Sequence, residues 1–260
     1  LIAEDSTSFP KITAPVEYDG LGFDYKWDMG WMNDTLDYFR TAPWERHNQY
    51  YKLTFSMLYF YNELFILPFS HDETVHGKAT IIQKMYGDYD EKFLQCRALY
   101  MYMYTHPGKK LNFMGNEIGQ FREWDENREQ DWDILHYPLH DAFTRYMQKL
   151  NELYSANPAL YNGEYNMSNF RWLVADDYEQ CTYVFERSFG KDSIISVFNF
   201  SGTEQKVSFA AGRYSKLKEL LNSRWEEFGG DVPKKKSPYT VSKKKSQSEI
   251  FTLTVPPQTG

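Results

Sequence analysis

Cysteine is almost absent. Cys96 and Cys181 are the only two in 260 residues, too few for a disulfide framework, and no Cys/His cluster has zinc-ligand spacing. Both read as reduced, buried thiols. Positive charge is not in excess either: the formal net charge of −7 argues against nucleic acid or an anionic membrane as the main partner. A neutral substrate is indifferent to that charge. No apolar run approaches the ~20 residues of a membrane span, and no basic-then-apolar signal pattern opens the chain. A cytoplasmic protein is the expectation. An initiator methionine is missing as well. The chain opens LIAEDSTSFP and closes at TVPPQTG inside a strand-like pattern, which predicts that both ends are cuts through a larger protein.

Aromatic residues are plentiful, with 21 Tyr, 19 Phe and 7 Trp. A bulky core accounts for most of them, but sugar-binding proteins also use rings, whose apolar faces pack on pyranoses. Short apolar runs bounded by turn residues predict buried strands at Leu1–Ala3, Gly22–Trp27, Phe65–Phe69 and Lys110–Met114. Helical spacing predicts helices at Gly30–Arg40, Leu53–Tyr61, Glu91–Tyr104 and Asp141–Tyr154, and Thr74–Tyr89 reads as a loop. Alternation of strand and helix means a parallel sheet, and four such units are half of an eight-stranded α/β barrel.

From about residue 160 the period changes to two. Phe170, Trp172 and Val174, then Tyr183 and Phe185 across a turn near Asp176–Asp177, then Ile194–Phe200, Val207–Ala210 and Ile250–Val255 predict an all-β sandwich. Lysine triplets at 234–236 and 243–245 flank Pro238 and read as a solvated hairpin loop. The expected organisation is α/β plus all-β: residues 1–158 as the second half of a (β/α)8 barrel, strands 5–8, and residues 159–260 as a β-sandwich domain.

The strand ends are acidic. Glu4 with Asp5 and Asp72 with Glu73 stand where buried strands exit, without an evident local partner, and Asn116 with Glu117 is a third pair of interest. In a barrel such ends converge on one face. Carboxylates across a pocket suit glycosidic chemistry, one protonated to donate to the leaving oxygen and another ionised to meet an oxocarbenium-like centre. Acids at these positions also serve as helix N-caps or magnesium ligands. A metal centre is the weaker reading, because His71 and His76 lie five apart across a loop with no third ligand. Neither a metal nor a cofactor is expected.

SHDETVHGK at 70–78 resembles the fourth sequence signature of the α-amylase superfamily in the form found in glycogen (1,4-α-glucan) branching enzymes. AEDST at 3–7 resembles the third signature. DGLGFDYKWDMGWMNDTLDYF at 19–39, PGKKLNFMGNEIGQFREW at 107–124 and DWDILHYP at 131–138 are similar to the same enzymes, in the same order. The resemblance implies a retaining transglycosylation: an Asp attacks the anomeric carbon of an α-1,4-glucan, a Glu protonates the departing chain, and a 6-hydroxyl of another glucan resolves the intermediate. On this chain Glu4 matches the general acid/base. Asp72 matches the carboxylate that binds sugar hydroxyls and favours the distorted transition state, and His71 the histidine touching the same sugar. Asp5 and Glu73 lie beside them in supporting roles. Tyr25, Trp27, Asn116, Glu117 and Trp124 line the same face by strand order, with packing as the role expected of the Trp residues.

Nothing in the chain matches the Arg-x-Asp signature that carries the nucleophile, and the first four strands have no counterpart. The chain alone is therefore expected to be without branching activity. An isoamylase-type or trehalose-releasing hydrolase, and a non-catalytic glucan-binding fragment, are the alternatives.

Overall fold

A computed structural model describes residues 1–234, 239–240 and 249–260, the side chains of 239 and 240 excepted. The lysine-rich hairpin expected around Pro238 lies largely outside these residues. Four strands, β1 (Ile2–Ala3), β2 (Tyr25–Trp27), β3 (Phe65–Phe69) and β4 (Lys109–Asn112), form a parallel sheet in that order. Helix α1 (Met29–Arg40) joins β2 towards β3, while α2 (Ile81–Lys84) and α3 (Tyr89–Thr105) join β3 to β4. Then come α4 (Pro138–Ala156) and α5 (Pro158–Tyr161).

Every residue of β3 is buried. It contains Pro68, which cannot donate to a ladder and is unusual in a central strand. The register explains its tolerance. Asp28 N–H donates to Ile66 O at 2.8 Å, so Ile66 and, two residues on, Pro68 turn their main-chain polar groups towards β2. By then β2 has already left for α1, and no carbonyl waits for the missing N–H. β4, expected to be buried, is only half-buried because it is the edge strand of the sheet. The expected strand at 22–27 is cut to Tyr25–Trp27, and the expected loop 74–89 contains α2 with a capping box of Thr80 and Gln83.

The helix expected at Leu53–Tyr61 is not α-helical. Arg46–Leu53, Phe55–Leu58 and Phe60–Asn62 are successive 3₁₀ turns, broken at Thr54 (φ −107°) and Tyr59 (φ −118°). Tertiary partners compete with the helical period here. Tyr50 stacks on Tyr183 with ring centroids 4.2 Å apart, Phe60 stacks on Tyr165, and Tyr102 Oη donates to Leu53 O at 2.8 Å. Helix α3 is buried on nearly all sides, from Phe93 to Thr105. A helix wrapped by neighbours shows no apolar stripe, which is why its YMYMY run reads equally well as alternation.

The remaining strands are β5 (Phe170–Asp177), β6 (Thr182–Phe189), β7 (Asp192–Asn199), β8 (Gln205–Ala210), β9 (Lys216–Leu217), β10 (Tyr239–Thr240) and β11 (Ile250–Val255). β5–β6–β7 form an antiparallel sheet, and β8 pairs with β11 and β9 with β10, both antiparallel. Strand β6 is buried on both faces by strict alternation. Val184 packs with Val207, Phe209, Phe251 and Val255, whereas Tyr183 and Phe185 point the other way into the aromatic core of α1 and α3. That core holds Trp31, Tyr38, Phe39, Tyr102, Phe143, Phe198 and Phe200, so it runs across the boundary expected at 158–159. Many of the aromatic residues are therefore core, while others, Trp44 and Trp132 among them, are exposed. Buried tyrosines satisfy their hydroxyls on main chain, as Tyr146 does on Arg97 O and Tyr102 on Leu53 O. Cys96 and Cys181 are both free and buried, as expected.

Candidate active site

Because the four strands are parallel, their C-terminal ends leave one edge of the sheet. That edge collects Glu4 and Asp5 after β1, Asp28 after β2, His71 to Glu73 after β3 and Phe113 to Asn116 after β4. Glu4 is exposed, and among the described residues no side chain hydrogen-bonds or pairs with it. Asp5 does have a partner, contrary to the sequence expectation. Lys26 Nζ, from buried Lys26 on β2, sits 2.9 Å from Asp5 Oδ2, and Thr7 donates both its N–H and its hydroxyl to the same carboxylate. The Lys26 bond and the Thr7 donors hold the Asp5 carboxyl below its usual range. Asp5 thus steadies the end of β1, beside an unencumbered Glu4.

His71 and Asp72 are half-exposed, with His71 Nε2 3.8 Å from Asp72 Oδ1. The His71 ring lies against Phe113 (5.6 Å between centroids) and Trp124 (6.0 Å), which meet edge to face at 5.3 Å. Trp124 thus orients His71. Glu73 turns inward to Lys78 Nζ at 3.9 Å. Asn116 is buried, its Nδ2 donating to Phe69 O and Asn112 Oδ1, so it staples the turn after β4. Glu117 bears on α3: after burial, the larger cause, its charge helps push the Tyr104 hydroxyl up to about 12. Tyr25 stands apart from the acidic edge. Its ring faces Tyr165 at 6.3 Å, and Tyr165 bonds the first residue of β3. Trp27 is half-buried at the last rung of β2, paired with Ile66.

The loop after Asp72 is held by residues that local pattern does not reveal. Glu123, beyond β4, accepts from the N–H of Gly77 at 2.9 Å and of Ala79 at 2.7 Å, 46 and 44 residues away. Lys84 Nζ, buried on α2, donates to the carbonyls of Glu73 and Ala79. Burial pulls the Lys84 amine down to about 8. A capped four-residue helix and a carboxylate next to Trp124 are the only local signals, and neither says what these side chains reach.

Asp28 caps α1 through Trp31 N–H at 2.8 Å and accepts from Tyr59 Oη at 2.8 Å, while its Oδ2 has no partner among the described residues. Burial outweighs both bonds and raises its carboxyl to about 6. A folded-state pKa above the unfolded value adds stability that is complete below pH ~4 and lost as pH rises through 6. Asp28→Asn, whose amide oxygen keeps both bonds, should therefore gain on the parent by about 3 kcal/mol between pH 4 and pH 8, read by urea unfolding at the two pH values. The difference cancels His106, whose burial lowers its pKa to about 3 and which costs stability as pH falls. An unchanged difference would show Asp28 already ionised at pH 4.

Comparison with known proteins follows the same residues. Residues 172–260 match the family described as alpha amylase, C-terminal all-beta domain. The 1,4-alpha-glucan branching enzyme GlgB of Bacillus cereus strain G9842 is 42% identical over 99% of this chain, which covers 41% of that protein. The enzyme of the same name from Bacillus thuringiensis subsp. konkukian strain 97-27 shows the same identity and coverage. The chain is similar to the 1,4-α-glucan branching enzymes over nearly its whole length. It spans about two fifths of the length of these relatives. In shape it resembles the Nostoc punctiforme debranching enzyme, with a TM-score of 0.64 at 15% identity over 99% of this chain and 50% of that one, a likeness of fold alone. Among the described residues no helix is long and apolar enough to cross a membrane, and no group of three or more His, Cys, Asp or Glu could hold a metal ion.

Proposed function

We propose that this chain is the acid/base-bearing portion of a 1,4-α-glucan branching enzyme, which moves α-1,4-glucan chains to a 6-hydroxyl of glycogen by retaining double displacement. Residues 1–158 are then strands 5–8 of a (β/α)8 barrel and residues 159–260 its all-β companion, in a cytoplasmic protein. The observation that carries this reading is the 42% identity with branching enzymes over 99% of the chain.

In this reading Glu4 protonates the departing glycosidic oxygen and then takes the proton of the incoming 6-hydroxyl. No side chain among the described residues holds it, which leaves it available for both transfers. Asp72 and His71 grip the hydroxyls of the sugar being cleaved and favour its flattened transition state, with binding strengthened as the ring distorts. Asp5 and Glu73 act through their neighbours, Asp5 by fixing the exit of β1 on Lys26.

The nucleophile is not supplied by this chain. Purified alone, it should leave the iodine stain of amylose unchanged, and a change would overturn the assignment of a missing nucleophile. The protein carrying this segment in its native reading frame should generate new α-1,6 linkages, detected as short chains released by a debranching enzyme. Free oligosaccharide without new branches would instead identify a hydrolase.

A further inference from the structure

The loop between β3 and α2 carries His71 and Asp72 and has an unusual backbone. His76 (φ 58°), Gly77 (φ 78°) and Ala79 (φ 65°) are left-handed, a conformation that costs a residue with a Cβ on the order of 1 kcal/mol. Such a loop persists only where its surroundings over-determine it. Three ties do so. The two oxygens of Glu123 take the N–H groups of Gly77 and Ala79, one each, at 2.9 and 2.7 Å. The Lys84 amine bridges the carbonyls of Glu73 and Ala79, binding the two ends of the loop to one cation. Trp124 N–H donates to Thr74 O at 3.0 Å, and its ring meets His71. The residue next to Glu123 in sequence therefore packs on His71, and a shift at Glu123 moves the wall against which His71 rests.

We propose that Glu123, assisted by Lys84, is a positioning residue for His71 and Asp72, locking the loop that presents them to the glucan. This rests on the reading of Asp72 as a substrate-gripping carboxylate. The main-chain amides answer to a carboxylate with two acceptors. An amide side chain keeps one acceptor and turns a donor towards the other N–H, so Glu123→Gln breaks half the clamp without changing volume. Small displacements of positioned groups reduce kcat by about a hundred-fold.

The experiment uses the protein carrying this segment in its native reading frame, with amylose as substrate. Glu123→Gln should lower kcat about a hundred-fold, with KM within about three-fold and Tm nearly unchanged. Its Gly77 and Ala79 amides should exchange with deuterium faster than in the parent. Glu123→Asp, which keeps the charge but loses reach, should recover part of kcat, and Lys84→Met should lower kcat in the same direction. Parent-like kcat in Glu123→Gln, while Asp72→Asn is inactive, overturns the positioning role. Unchanged exchange at Gly77 and Ala79 overturns the clamp itself. Full activity of Asp72→Asn instead overturns the underlying reading of the site, and the exchange measurement still reports on the clamp.

Discussion

Glu4→Gln, made in the protein that carries this segment in its native frame, is expected to lower chain-transfer kcat by about 10²–10⁴-fold, the usual contribution of a general acid/base. The structure makes this an unusually clean measurement. Glu4 is exposed and bonded to no side chain among the described residues, so removing its charge should leave stability within about 0.5 kcal/mol of the parent. Loss of activity at unchanged Tm can then be assigned to chemistry. Asp5→Asn is the control. It strips the buried Lys26 of its carboxylate, so Tm should fall together with activity. Full activity of Glu4→Gln at any pH between 5 and 8 would remove Glu4 from the acid/base role and favour a non-catalytic glucan-binding segment.

The largest expected loss of stability lies away from the acidic edge, at Arg46. Its guanidinium is fully buried, and among the described residues no carboxylate pairs with it. It donates to Thr41 O at 3.1 Å, Phe39 O at 3.2 Å, Phe200 O at 3.0 Å and the Gln95 side chain, and it lies over the rings of Tyr38 and Phe39. Four acceptors from three stretches of chain thus share one cation. Arg46→Met keeps most of the volume but leaves those acceptors buried and unpaired, a loss of about 4 kcal/mol. At this chain length that is a fall in Tm of about 10 °C, read by calorimetry. The bonds to Phe39 on α1 and to Phe200, just past β7 and 154 residues away, tie these elements through Arg46, so the loss should loosen the contact between the parallel sheet's helices and the all-β part. A fall of less than 2 °C would mean that water replaces the guanidinium.

Much of this architecture was legible beforehand. The buried run FILPF followed by His71-Asp72-Glu73 announced a strand delivering acids to a rim, and β3 with its exit is that element. Helix α4 was legible for a related reason. Its apolar residues repeat on one face, and that face alone is buried, from His140 through Phe143, Tyr146 and Met147 to Leu150. Where a segment's burial follows its own period, local pattern suffices.

Elsewhere local pattern could not decide. The stretch from Arg46 to Asn62 has the composition of an aromatic helix, yet its rings are drawn to Tyr183, Tyr165 and Asp28 in different directions, and the backbone follows them into broken 3₁₀ turns. Asp5 and Glu4 are adjacent acids with the same residue type at their backs. Only the register of β1 on β2, Ala3 opposite Lys26, gives the first a cation and leaves the second with no side-chain partner among the described residues.

What the sequence by itself determined is the set of chemical groups and the order in which they reach one sheet edge. Strand and helix periods, and the signature around 70–78, depend on residues close together in the chain. The tertiary structure decided which of those groups are bound and which are available. Glu123 meets Gly77 and Ala79 across more than forty residues, and Arg46 meets Phe200 across 154. The physical reason is that a carboxylate or guanidinium takes whichever donor or acceptor the packed backbone brings within about 3 Å, and that neighbour is set by how the layers dock.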